Sequence, residues 1–295
     1  MGLFRRSRPR PAGVRKRRRL QSWPWEIRLV VLATIYLGPP LALTVAVAMA
    51  YYTVSIPDPM VLRHKESAPS VRILARDGSL LSERGSDRAY VPIDLLPRHL
   101  IDAVIATEDR RFFKHWGIDP TGLARAALIN LRAGRVAQGG STLTQQLAKN
   151  LFLGSERTYA RKLGELVLAL WLEMRLGKFD ILELYLNRVY FGAGAYGVEA
   201  ASQRFFGKSA REVTVVEAAV LAGLLKAPSR YSPASNPQVA RARAGDVLAK
   251  MVEARLLTAE ESDRAGRATL RFSEVGLRAP GQPADWKPAS SATVP

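Results

Sequence analysis

The feature that most constrains this chain is the run Leu29–Tyr52, LVVLATIYLGPPLALTVAVAMAYY, 24 residues without a charged side chain. Wound as a helix rising about 1.5 Å per residue, it spans the roughly 30 Å hydrocarbon core of a bilayer. Inside lipid, backbone polar groups must pair within the segment, so a helix is the form expected for an isolated span. Gly38-Pro39-Pro40 interrupts the run; each proline removes a backbone donor and favours a kink, which membrane helices tolerate. Trp23 and Trp25 at one end, and Tyr51 and Tyr52 at the other, suit the two interfaces. Residues 1–28 hold ten Arg/Lys against the single acid Glu26, which gives +9 of the chain's +18. By the positive-inside rule this tail is expected in the cytoplasm, with everything after about residue 53 outside. A cleaved signal peptide would use Ala46-Val47-Ala48 or Ala48-Met49-Ala50, but the run exceeds a roughly 7–15-residue signal core, so the reading is a retained anchor. Directly before a span, the basic tail reads as a topology and anionic-lipid signal, and no nucleic-acid partner is expected.

The absence of cysteine excludes disulfides, zinc–thiolate sites, iron–sulfur clusters and thiol catalysis. Past the anchor, Pro57, Pro59 and Pro69 mark a linker, and Val71–Ala75 and Leu80-Leu81 flank Asp77-Gly78 as in a β-hairpin. From Pro97 the apolar period becomes helical. Helices are expected over 97–110, 121–133, 141–152, 157–177, 179–189, 195–206, 214–225 and 237–255, punctuated by Gly and Pro. The organisation read from this is a basic tail 1–28, an anchor 29–52, a linker and hairpin 53–95, a mainly α catalytic domain 96–255 and a C-terminal tail 256–295.

Three clusters could carry chemistry. Glu108 closes an apolar helix and precedes Phe112 and Phe113; a carboxylate against aromatic surface is desolvated and its pKa rises toward the range of a general base. The plainer alternative is a helix-end acid bridged to Arg110 or Arg111, and His115 reads as structural. Gly139-Gly140-Ser141-Thr142 opening a helix is an N-cap signature that presents free N–H groups to an anion, with Lys149 two turns on. The phosphate-loop spacing of nucleotide-binding proteins is missing. In the third, Leu163, Leu166, Val167, Leu170 and Met174 form a stripe read as core, while Glu165 lies on the face of Leu168, Ala169 and Leu172 with Arg161 at i−4. A carboxylate on an apolar face is costly unless paired or functional, and an Arg161–Glu165 ion pair is the alternative. Two acids plus Lys149, Arg157 and Arg161 suit sugar transfer from a phosphate-activated donor; glycoside hydrolysis has no need of the cations.

Read in order, Glu108-Asp109…Phe112-Phe113…His115…Gly117, Gly140-Ser141-Thr142-Leu143-Thr144-Gln145-Gln146…Lys149-Asn150 and Arg161-Lys162…Glu165 resemble the first three motifs of the peptidoglycan glycosyltransferases. Glu183–Asn187 with Tyr190-Phe191-Gly192…Gly194–Ala201, and Glu217–Gly223…Pro228…Tyr231-Ser232-Pro233, resemble the last two. The resemblance implies a lysozyme-like α domain that polymerises lipid II into β-1,4 glycan with inversion, releasing undecaprenyl pyrophosphate, in cell-wall biogenesis at the inner membrane. It implies Glu108 as the base for the acceptor 4-hydroxyl, with Asp109 supporting the site. Lys149, Arg157 and Glu165 would handle the donor pyrophosphate. Ser141, Thr142, Gln145 and Gln146 would line the cleft, and Arg161-Lys162 would share the pyrophosphate or fix Glu165. No cofactor is required, with room for a divalent cation (Mg or Mn) at Glu165. Division or cell-wall synthesis proteins are conceivable partners. Bifunctional relatives carry a penicillin-binding domain, for which the 40 residues after 255 are too few, so a monofunctional enzyme is the expectation over a shortened bifunctional one. Rival readings are a lytic muramidase of the same fold and a basic, membrane-anchored scaffold. The run around 118–137, with Leu123, Ala126, Ala127 and Leu131 beside Arg125, Arg132 and Arg135, reads as an amphipathic segment for a bilayer surface.

Overall fold

In the computed structural model, which describes residues 24–56, 59, 61, 71–74, 76, 80–84, 90–135, 139–154, 156, 158–234, 236–273 and 293–294, the apolar run is helix α1, Trp25–Ser55. It continues unbroken through Pro39 and Pro40, so the interruption expected there is absorbed within one helix. An 18-residue window of α1 has mean hydropathy 2.0, and none of that window is buried. The chain divides into two compact units, residues 1–51 and 52–295.

The second unit contains a small antiparallel hairpin, β1 (Val71–Leu74) and β2 (Leu80–Arg84), with a register shift between Ile73 and Leu74. Its expected Asp77-Gly78 turn lies outside the described residues. The rest is mainly α, in helices α2 (Arg98–Glu108), α3 (Pro120–Ala133), α4 (Leu143–Phe152), α5 (Tyr159–Arg175), α6 (Lys178–Arg188), α7 (Val198–Phe206), α8 (Val215–Leu224), α9 (Pro228–Tyr231), α10 (Pro237–Glu253) and α11 (Ala259–Arg267). Helix α8 is apolar all round and buried from Val216 to Leu224, the pattern of a core helix. It packs against α2 and α10, which also touch each other, while α4 packs on α5 and α6. The end of α2 thus meets α10 on one side and α4 on the other, and that junction holds the site.

Three expectations change. The stripe read as the core of α5 is turned outward: Leu163 is 64% and Met174 61% exposed, while Glu165, Leu168, Ala169, Trp171, Leu172 and Glu173 are buried. Both buried acids are paired. Glu173 accepts from Thr144 Oγ1 and Lys178 Nζ, each at 2.7 Å, so burying that face leaves no bare charge. The helix expected from 195 begins only at Val198, because β3 (Tyr190–Gly192) and β4 (Ala195–Tyr196) form a tight hairpin first. Its exit requires Gly197 at φ 86°, where a Cβ would stand 2.7 Å from the Asn187 carbonyl oxygen. Finally, the fold passes the expected boundary at 255. Helix α11 is opened by a Thr258/Glu261 capping box, Leu270 and Phe272 are buried, and β5 (Leu270–Arg271) pairs with β6 (Thr293–Val294).

Candidate active site

Glu108 is the last residue of α2; Asp109, at φ −154° and ψ 76°, turns the chain out of the helix. A cleft of roughly 270 Å³ opens beside it, walled by Thr107, Arg111, Gly140, Ser141, Thr142 and Lys250 among others. One carboxylate oxygen of Glu108 accepts from Gln146 Nε2 at 2.9 Å, and the Gln146 carbonyl accepts from the Tyr185 hydroxyl at 3.0 Å. This relay, from α6 through α4 to the end of α2, fixes the carboxylate, while its other oxygen accepts no hydrogen bond from the described residues. Burial pushes the Glu108 pKa up from its ordinary value; the Gln146 amide and then the positive charges of Lys250, Arg243 and Lys226 oppose the rise. The desolvation expected for Glu108 is present. Phe112 and Phe113 make their ring contacts elsewhere, with each other, His115, Phe179 and the Lys178 ammonium.

Asp109, the next residue, is built differently. Its carboxylate is buried and accepts from Leu143 N at 3.0 Å and His115 Nε2 at 3.0 Å. It fastens the start of α4 to the loop after α2. Thr142 adds a second fastener, donating to Gly117 O at 2.6 Å and capping Gln145 N at 3.2 Å. Gly117 stands at φ 69°, with Ala169 O only 2.9 Å from where a Cβ would be. Gln145, expected to line the cleft, is instead 3% exposed inside α4, which turns its neighbour Gln146 toward Glu108.

The cationic group is joined to this cleft through Ser141. Ser141 lines the cleft and its hydroxyl accepts from Lys162 Nζ at 2.8 Å; Lys162 also reaches a Glu165 oxygen at 2.7 Å, and Arg161 bridges the other. Arg161 and Lys162 therefore fix Glu165, and the three together keep one net positive charge. Lys149 is exposed on α4 and near enough to depress the Lys162 pKa, after burial and Arg161. Arg157 lies outside the described residues. With both oxygens held by cations, Glu165 makes a poor metal ligand. Among the described residues no group of three or more His, Asp or Glu could hold an ion.

Reading the sequence expected helix α10 but missed its part in the site. Lys250 lines the cleft of Glu108, and Arg243 is two turns earlier on the same helix. Arg243 is buried, bridged to Asp246 at 3.3 Å and set over the Tyr231 ring. The i, i+7 spacing of Arg243 and Lys250, two turns apart on one face of a helix, was the available signal. Helix α3 shows the expected amphipathic surface: Leu123, Leu128 and Leu131 are exposed beside Arg125 and Arg132, while Ala126 is buried.

The family described as Transglycosylase matches residues 77–252. Penicillin-binding protein 1A of Aquifex aeolicus is 48% identical over 212 residues, covering 72% of this chain and 29% of that protein. Penicillin-binding protein 1A of Neisseria flavescens is 42% identical over 229 residues, with 77% and 29% coverage. The chain thus spans under a third of the length of these relatives. A crystal structure of penicillin-binding protein 1A from Haemophilus influenzae superposes at TM-score 0.45 and 27% identity, over 70% of this chain and 22% of that one.

Proposed function

This chain belongs to the transglycosylase family, and on that premise we propose that it polymerises lipid II into peptidoglycan glycan at the outer face of the inner membrane. In this reading Glu108 takes the proton of the acceptor 4-hydroxyl as that oxygen bonds to the donor's anomeric carbon. The bond from that carbon to the diphosphate breaks, with inversion, and undecaprenyl pyrophosphate leaves. Lys149, Arg157 and the surplus charge of the Arg161–Lys162–Glu165 group oppose the growing negative charge on the leaving diphosphate. Gln146 holds the base, while Asp109 and Thr142 hold the helix that carries Gln146. The domain is lysozyme-like in this proposal, and α1 anchors it as a single pass with its N-terminus in the cytoplasm. The exposed apolar side chains of α3, flanked by Arg125 and Arg132, rest in the outer leaflet near the lipid substrate. No step is assigned to a metal ion.

The observation that carries this reading is Ser141, which lines the cleft of Glu108 and accepts a hydrogen bond from Lys162, so the wall of the base's cleft is tied directly to the cationic group. The test is incubation of the purified full chain with labelled lipid II. Glycan growth that disappears in Glu108→Gln, with the fold retained, supports it. Glycan shortening without polymer would favour the muramidase reading, and no activity on either substrate would favour a scaffold.

A further inference from the structure

A base in a closing cleft faces a conflict. Desolvation strengthens it by raising its pKa, but the same desolvation favours its protonated, useless form. The groups around Glu108 show what opposes that. From α4 comes the Gln146 amide, and behind it from α6 the Tyr185 hydroxyl, both neutral. Beyond the end of α8 comes Lys226, which is exposed and therefore screened by solvent. From α10 come Arg243, Asp246 and Lys250. Arg243 bridges Asp246 through Nη1 and lies over the Tyr231 ring, while its Nε and Nη2 are buried without a hydrogen-bond partner among the described residues. At the rim, Arg110 is engaged by the Glu253 main-chain carbonyl and lies 3.7 Å from its carboxylate, Arg111 bridges Asp119 at 3.2 Å, Asp109 is taken by Leu143 N and His115, and Arg125 of α3 is exposed and screened by solvent.

Lys250 is different. It is half-buried in the wall of the Glu108 cleft, and among the described residues its ammonium has no hydrogen-bond or contact ion-pair partner. We propose that Lys250 is a positioning residue whose ammonium keeps the Glu108 carboxylate ionised in the desolvated cleft, so that the base is available at neutral pH. This rests on the reading of Glu108 as the base. The dependence runs both ways: burial, Arg243 and Lys226 push Lys250 toward its neutral form, and the negative charges of Glu108 and Asp246 oppose them. Its place on a helix packed against α2 brings it into the wall of the Glu108 cleft. The separation of the two charges exceeds contact, so the ammonium acts through the field and leaves the free carboxylate oxygen open to the sugar hydroxyl.

The test is the pH profile of kcat/KM for lipid II polymerisation in the full chain, with Lys250→Met and Lys250→Arg. Methionine keeps the length of the side chain and suits a helix, and a thermal melt of each variant checks the fold. The acid limb of Lys250→Met is expected about half a pH unit or more above that of the unaltered chain, with most activity recovered on the alkaline side. Lys250→Arg is expected to restore the limb. A uniform loss at every pH with the limb unmoved, or an arginine variant indistinguishable from the methionine one, would overturn the proposal. A carbon-13 NMR titration of the Glu108 carboxyl in the same variants reads the shift without catalysis. If Glu108→Gln still polymerises, the assignment of the base fails whatever this titration shows; if it does not, and the titration midpoint stays put in Lys250→Met, only the role of Lys250 fails.

Discussion

Replacing Asp109 by asparagine tests the division of labour between two adjacent acids. The Asp109 carboxylate, 5% exposed as a side chain, accepts Leu143 N and His115 Nε2. Asparagine keeps one acceptor oxygen and turns the other corner into a donor, so one buried N–H of the pair then faces another. Loss of one charge-assisted bond costs about 1.5–3 kcal/mol. A neutral His115 that changes tautomer can accept from the new amide, which sets the lower end. For a folded unit of this size each kcal/mol lowers Tm by about 2–4 °C, so a fall of roughly 3–12 °C is expected. A differential scanning measurement in detergent reads it directly. Polymerisation well below that Tm is expected to persist at a reduced rate, because the start of α4, which carries Gln146, loosens without the base being touched. An unchanged Tm together with total loss of polymerisation would refute the argument and move the chemistry from 108 to 109.

The raised pKa of Glu108 puts the acid limb of kcat/KM above the ordinary carboxylate value of 4.5, and a limb at or below it would contradict the burial seen here. Between that value and the folded pKa the folded chain binds the extra proton, so Glu108 makes stability fall as pH rises. Glu108→Gln is therefore expected to be no less stable than the unaltered chain at neutral pH, and a clear drop in Tm there would count against it. Gly197→Ala forces φ 86° on a side chain that meets the Asn187 carbonyl at 2.7 Å; a loss of about 1–3 kcal/mol or more is expected in denaturant titration, and a neutral result would contradict the hairpin geometry. Because Arg161 and Lys162 occupy both oxygens of Glu165, EDTA is expected to leave the polymerisation rate within about twofold. A rate that collapses on chelation and returns with Mg or Mn would reverse that.

Much of this protein is legible in one dimension because the relevant physics is local. The charge-free run forms a helix that extends a few residues past it at each end, Trp25–Ser55, as expected where a long stretch of side chains is uniformly apolar and the backbone pairs internally. Most helix positions from α2 to α10, α9 excepted, follow from apolar period, and the start of α4 from Thr142 as a cap, which acts within three residues. The face of α5 was not legible. Period alone favours the stripe of Leu163 and Met174, but the buried face carries Glu165 and Glu173, whose cost is offset by the neighbours that pair them; two of these, Lys178 and Thr144, come from other segments. Gln146 and Lys250 likewise acquire their meaning only when α4 and α10 are laid against the end of α2, 38 and 142 positions from Glu108 in the chain. Sequence alone located most of the helices and the acid to watch. What surrounds that acid depends on charges and amides brought together from distant segments, and only packing in three dimensions sets those distances.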